Sequence, residues 1–477
     1  NPSTRRGVRP RGRLAGFLGL GNIIMFYDAN EIQLSTEVDE VTREDTADKY
    51  EAWGWHVLTI DGNDHEAIRQ ALKAGHEETE RPTLIIGNTT MGKGVVGDDG
   101  QPYEGKVELH GKALGGTNGS YEKTIEKLGG DLEEPFQVFP EVAELYRQLI
   151  DHKRAAAKER RAAYRQWAGV NKERAARLEQ QLAGKLPEID WAAIHQKSDI
   201  ATRNASGTVL AYLADHLDNM IVASADLSNS DKTDAFLKKT TAFKKGDFSG
   251  AFLQAGVSEL TMAAFATGMA LHGGVIPVCA TFFAFSDYMK PAIRVCALME
   301  QPVIFIWTHD AFRVGEDGPT HQPVEQEAQI RLLEQLKNHS GRNSFLALRP
   351  ADAVETTVCW QLAFENQGSP SGLILSRQPI PDVPARPGST RHQDARRAAK
   401  GAYIVQEEES GMPDVILVAN GSEVSTLVAG AEKLRREKGL KIRIVSAPSE
   451  GLFRNQPEAY QREVLPPEVP AFGLTAG

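Results

Sequence analysis

Short apolar runs recur along the whole chain, and each is followed by a stretch with helical spacing. NIIMFY, PTLIIG, NMIVAS, VIPVCATFF, VIFIW, LILS and DVILVA are examples. A strand with one wet face alternates apolar and polar residues. A strand apolar throughout is buried on both faces, which happens when helices cover both sides of a parallel sheet. The alternation of such runs with helical patterns therefore sets the class as α/β, with parallel sheets flanked by helices.

At 477 residues the chain is too long for one core. The first block runs over 1–150, with a strand in NIIMFYDAN, helices in TADKYEAW and DHEAIRQALKAGHEE, and a strand in PTLIIGNTT. From 151 to 194 the chain is rich in Ala, Arg, Glu and Lys, with acids interleaved among the bases. That pattern is a solvated helical connector rather than a nucleic-acid arm. A second α/β block covers 195–385, and a Pro/Arg/Gly-rich linker lies at 379–397. The block 386–477 contains the βαβ pattern DVILVANGSEVSTLVAGAEKLRREKGLKIRIVSAPS and is short for a closed domain. Residues 1–13 hold five arginines and nothing that could build an element, so they read as a disordered end.

The net charge of −10 argues against nucleic-acid binding. No apolar window reaches the roughly 18 residues of a membrane span. Cys279, Cys296 and Cys359 lie in apolar surroundings without disulfide or zinc spacing, as in a reduced, cytoplasmic protein.

In open parallel sheets, ligands bind beyond the carboxyl ends of strands. Four such ends are loaded here: DAN after IIMFY, SADLSNSDKT after NMIV, THDAFRVGEDGPTHQP after VIFIW, and SRQ after GLIL. The third (308–323) carries His309, Asp317 and His321 on Gly/Pro-shaped backbone. It leads into a helix expected to begin near Pro323, whose free N–H groups would suit an anion. A divalent-ion site is an alternative for its His and Asp residues. Glu259 opens an apolar helix, either serving the helix dipole or acting as a buried acid/base group. Phe282, Phe283, Phe285 and Tyr288 read as core or as a ring platform. Arg203 and Arg377 read as surface residues or as phosphate forks.

Taken together, THDAFRVGEDGPTHQPVEQ, SADLSNSDKT, GVSEL, HGGVIP, TFFAFSDY and LILSRQ resemble the transketolases, in family order from Gly12 onward. The resemblance implies a diphosphate-binding, a pyrimidine-binding and a C-terminal α/β domain, in a homodimer with active sites at the subunit interface. It implies two-carbon ketol transfer between sugar phosphates in the pentose phosphate pathway, with thiamine diphosphate and Mg²⁺ (or Ca²⁺). Asn30 and the Ile32 carbonyl would hold the metal. Glu259 would share a proton with the aminopyrimidine, so that its exocyclic amine becomes the base. Phe282, Phe285 and Tyr288 would surround that ring, and Asp226 would lie near the thiazolium. His110 and His321 would stand at the reacting carbon. Asp317 would bind a donor hydroxyl, and Arg203, Ser230, His309 and Arg377 would grip the acceptor phosphate.

Three departures accompany the resemblance. The family's Gly-Asp-Gly segment, whose Asp supplies the other metal ligand, does not precede NIIMFYDAN, and the arginine-rich residues 1–13 stand there instead. The end of the C-terminal domain is also missing, as are the upstream histidines which normally complete the substrate channel. Two expectations follow: an enzyme whose sequence is incomplete, or an inactive transketolase-like chain that only dimerises or binds. The first departure also implies weak thiamine diphosphate binding by the chain as written.

Overall fold

The computed structural model describes residues 8–311, 314–315, 317–407 and 411–475. Residues 1–7 of the arginine-rich start lie outside the described residues, as do Phe312, Arg313 and Glu316 of the 308–323 stretch. The rest of that start does build an element, contrary to the expectation from its composition: residues 8–13 belong to the helix Val8–Leu18. The chain forms two compact units, Asn1–Ala176 and Arg177–Gly477.

The first unit carries a parallel sheet of β1 (Ile24–Ala29), β2 (His56–Asp61) and β3 (Thr83–Asn88), in the order β1-β3-β2. Helices Thr46–Ala52 and His65–Glu77 are N-capped by Asp45 and Asp64, whose carboxylates accept from the backbone N–H of Asp48 and Glu66. Leu84 and Ile86 of β3 pack with Tyr50, Trp55 and Ala15, and the Trp55 ring N–H donates to the Gly12 carbonyl at 2.7 Å. A long helix enters the connector from within the first block. Pro140 occupies the first turn of a 31-residue helix, Pro140–Val170, that buries no residue. The connector is two helices rather than one, because Asn171 leaves helical geometry before Lys172–Leu182.

The second unit is built on a six-stranded, all-parallel sheet. Its strands are β4 (Met220–Ser224), β5 (Phe252–Gln254), β6 (Ile276–Phe282), β7 (Ile304–Thr308), β8 (Leu346–Leu348) and β9 (Ser371–Leu375), in the order β5-β4-β6-β7-β9-β8. Every residue of β7 is buried, as an unbroken apolar run requires. The chain leaves β4 first to one side, for β5, and then crosses to the other, for β6. The strand order therefore reverses beside β4, where open sheets form a crevice.

A second sheet holds β10 (Tyr403–Gln406), β11 (Val415–Ala419), β12 (Ile442–Ser446) and β13 (Ala471–Leu474), in the order β10-β12-β11-β13, with β10 antiparallel. The stretch 379–397 is not a loose linker. The Arg391 guanidinium donates to Glu355 and to the Tyr403 hydroxyl, both at 2.9 Å, and Thr390 and Gln393 cap a short helix.

One contact fixes the helix that carries Arg203. Trp360, fully buried on helix Ala353–Glu365, donates its ring N–H to Ser206 Oγ on helix Thr202–His216 at 2.9 Å. Ser206→Ala leaves that buried donor unpaired, so unfolding in urea should shift by about 1–3 kcal/mol towards the unfolded state. An unchanged midpoint would show that the bond contributes nothing.

Candidate functional site

At the carboxyl end of the six-stranded sheet, two residues adopt left-handed backbone that glycine ordinarily supplies: Asp226 after β4 (φ 64°) and His309 after β7 (φ 63°). Each costs about 1–2 kcal/mol, so the surroundings must hold it. His309 is buried. Its Nδ1 lies 2.9 Å from Thr308 Oγ1, and its ring packs on Phe282 with centroids 3.7 Å apart.

The cationic side of the site is assembled by residues far apart in sequence. The Thr202 N–H donates to Ser376 Oγ at 3.0 Å, and the Ser376 N–H returns a bond to Thr202 Oγ1 at 2.7 Å. This pins the start of a helix to the end of β9, so Arg203 and Arg377 face each other. Arg203 Nη1 donates to the Ser230 carbonyl (2.9 Å) and hydroxyl (3.2 Å). Arg377 Nε lies 3.9 Å from Asp317 Oδ2. The loop passes close to Arg377 at Gly315 (φ 92°), where an added Cβ would come within 3.1 Å of Nη1. Burial, and then the charge of Arg377, lowers the Arg203 pKa. Burial chiefly, helped by both arginines, pushes His309 down from 6.5 to about 3. Two guanidiniums and a neutral imidazole so placed suit a dianion.

His309 thus stays neutral at ordinary pH, and its stabilising preference for the neutral ring is lost as pH falls below 6.5 towards 3. In an NMR titration, the ring signal assigned with His309→Gln should not move between about pH 5 and 8. A midpoint near 6.5 would contradict the burial seen here.

The apolar side is a step of rings. Phe282 and Phe285 stack at 5.9 Å, and Phe285 meets Tyr288 at 6.1 Å and His321 edge-on at 5.2 Å. The core reading holds for Phe283, which is fully buried against Trp307. Phe285 is half-buried and Tyr288 is 62% exposed, so these two are available to a ligand. Glu259 is buried at the first turn of helix Glu259–His272. Nearby, the Ala255 N–H donates to the Ser224 carbonyl at the tip of β4, which places this turn by the same sheet end. Burial raises the Glu259 pKa, and among the described residues no cation lies within ion-pair range. A buried acid with a raised pKa can keep and share a proton, as the resemblance implies for the aminopyrimidine.

Three candidates belong to the first unit. The Ile32 N–H donates to Asn30 Oδ1 at 3.0 Å, a turn made possible by left-handed Glu31 (φ 59°), so the side-chain oxygen of Asn30 and the backbone of Ile32 are brought together. Ile32 is buried. His110 is half-buried, and its Nδ1 is buried without a protein partner.

Two expectations need correction. The helix after the 308–323 loop begins at Gln326, following a turn at Pro319–His321. Its first turn is not open to an anion. Gln326 is buried and donates to Asp287 at 3.0 Å, and its side-chain oxygen accepts from the Val324 N–H. The alternative of a divalent-ion site in the 308–323 loop finds no support either, since among the described residues no group of three or more His, Cys, Asp or Glu is arranged to hold an ion. Sequence reading also passed over Asp231. This acid is fully buried behind Ser230, accepts from Ser224 and Thr233, and is pushed up to about 6 by burial. The Asp231 carboxylate also accepts from the Thr233 N–H in an Asx-type turn, and nothing in the SDKT pattern signals its burial.

The residues expected to act on sugar phosphates thus line the ends of β4, β6, β7 and β9. Family models match the same regions: the transketolase thiamine diphosphate binding domain over 9–187, the transketolase pyrimidine binding domain over 198–382, and the transketolase-like C-terminal domain over 401–477. The transketolase of Geobacillus stearothermophilus is 38% identical over 465 residues, 96% of this chain and 66% of that protein.

The chain belongs to the transketolase family.

The transketolase structure from Leishmania mexicana superposes with a TM-score of 0.89 at 31% identity, covering 99% of this chain and 67% of that one. A Pichia stipitis transketolase, solved as a complex with sedoheptulose 7-phosphate, gives 0.87 at 31% identity, covering 99% and 68%. This chain therefore spans about two thirds of the length of the transketolases it resembles.

Proposed function

We propose that this transketolase-family chain takes part in reversible transfer of a two-carbon ketol group. The donor is a ketose phosphate such as xylulose 5-phosphate, and the acceptor an aldose phosphate such as ribose 5-phosphate. The observation that carries the reading is the placement, at one sheet end, of a dianion grip and a ring step, with a buried acid lacking a cation beside the tip of β4. Sedoheptulose 7-phosphate, seen in the Pichia stipitis relative, belongs to the same substrate class.

Thiamine diphosphate, when bound, supplies the carbon nucleophile. The chain's residues do the rest. Glu259 would hold a proton against the pyrimidine nitrogen, while Phe282, Phe285 and Tyr288 would bracket the ring. Asp226 would serve the thiazolium side. Asn30 and the Ile32 carbonyl would hold Mg²⁺, hard oxygen donors suited to that ion. His110 and His321 move protons at the reacting carbon, Asp317 takes a donor hydroxyl, and Arg203, Ser230, His309 and Arg377 hold the acceptor phosphate.

The domain limits proposed are 1–150 for diphosphate binding, 151–194 for the helical linker, 195–385 for pyrimidine binding and 386–477 for the C-terminal domain. A homodimer is part of this reading. Exposed Val295, Leu298, Met299, Leu332 and Leu336 give the second unit an apolar face for a second copy. No described helix is long and apolar enough to cross a membrane.

The test is an assay of the purified chain with thiamine diphosphate and Mg²⁺. Weak cofactor binding with slow ketol transfer from a ketose phosphate, and none from pyruvate, is expected. Cofactor binding without transfer would reduce the chain to a binding module.

A further inference from the structure

We propose that Arg349 positions the phosphate-gripping loop at His309, tying it to the C-terminal sheet, and so sets how well phosphorylated sugars are recognised. The proposal rests on the reading of His309 given above.

Arg349 follows β8 and is wholly buried. A buried guanidinium is costly unless its donors are used, and here they are spread over three segments. Nε and Nη2 both donate to Asp310 Oδ2, at 3.0 and 2.9 Å, on the loop after β7. Nη1 donates to Asn420 Oδ1 at 2.5 Å and lies 2.7 Å from Glu423 Oε2, both after β11. It also lies 3.4 Å from Glu327 on the helix that follows His321. The backbone adds two ties: the Arg349 N–H to the Pro448 carbonyl at 3.0 Å, and the Gly421 N–H to the Arg349 carbonyl at 3.1 Å. Gly421 permits the approach, since a Cβ there would stand 2.6 Å from Arg349 Nε.

His309 occupies left-handed backbone one peptide away from this clamp. On one side it continues from β7, and on the other Asp310 is held by two hydrogen bonds. Releasing Asp310 removes what holds His309 in its unfavourable conformation, and the imidazole leaves the phosphate position. Glu259 follows β5 and, among the described residues, has no hydrogen bond to this cluster, while the aromatic step follows β6 and meets the loop only by ring packing, Phe282 on His309 and Phe285 on His321. The main effect therefore falls on the phosphate.

Asp310→Asn keeps shape but weakens the clamp. Glu423→Gln weakens it from the far side, without touching the loop. Asp310→Asn should raise KM for ribose 5-phosphate by about tenfold or more, with KM for glycolaldehyde and both kcat values within about twofold. The dissociation constant of inorganic phosphate, read from the His309 ring signal, should rise in parallel. Glu423→Gln should shift the same quantities less. If Asp310→Asn fails to fold, Glu423→Gln decides. Equal changes for both aldehydes, or none for either, would overturn the proposal. Phosphate bound by the parent chain without any transfer would remove the reaction assigned above yet leave this test standing. A parent that binds no phosphate would overturn both.

Discussion

Glu259→Gln should lower the rate of ketol transfer by about a hundredfold to ten-thousandfold, the range lost when a positioned acid or base is removed. The side chain keeps its size and its place at the first turn of its helix, so the loss reports protonation rather than packing. Stability should move the opposite way. Burial raises the Glu259 pKa above its ordinary 4.5. As pH climbs past 4.5, the unfolded chain releases a proton that the folded chain retains, and the carboxyl becomes a cost to folding. Glutamine carries no such cost. The cofactor-free variant should therefore melt above the parent at pH 8 and level with it at pH 4. Lower melting at pH 8 would mean that Glu259 is stabilised by a partner absent from this account.

The second large effect concerns the paired arginines. On the proposed reading, Arg203→Ala and Arg377→Ala would each remove charge-assisted hydrogen bonds to the acceptor phosphate, worth about 1.5–3 kcal/mol apiece, or roughly ten- to a hundredfold in KM. Combined, they should fall short of the product, because each guanidinium is partly a cost to the other until a dianion arrives. Transfer to glycolaldehyde should be nearly untouched. A parallel loss with glycolaldehyde would mean that these residues shape the sheet end rather than hold phosphate.

Much of this arrangement is legible in the residue pattern, and for a physical reason. Parallel strands buried on both faces must be apolar throughout, so VIFIW and GLILS announce themselves, and polar clusters just past them mark a ligand edge. Short strands are less visible. Phe252–Gln254 has three residues and Tyr403–Gln406 four, too few to show a period. The helix after His321 starts late, and the Gln326 side-chain oxygen accepts from the Val324 N–H just before it, an event no propensity records. The site's assembly is hidden for a different reason. The bonds between Thr202 and Ser376 join residues 174 positions apart, and the left-handed turns at Asp226 and His309 fall on residues other than glycine, whose types do not announce such a turn. Arg349 reads as one arginine among many, and its three buried acidic neighbours come from three separate segments.

Everything assigned to the pyrimidine side depends on Glu259 taking up a proton when thiamine diphosphate binds. Calorimetric titration of the chain with thiamine diphosphate and Mg²⁺, in two buffers of different ionisation enthalpy, counts that proton. Uptake in the parent and none in Glu259→Gln is the expected result. Equal uptake in both, or tight binding with no proton exchanged by the parent, would contradict it.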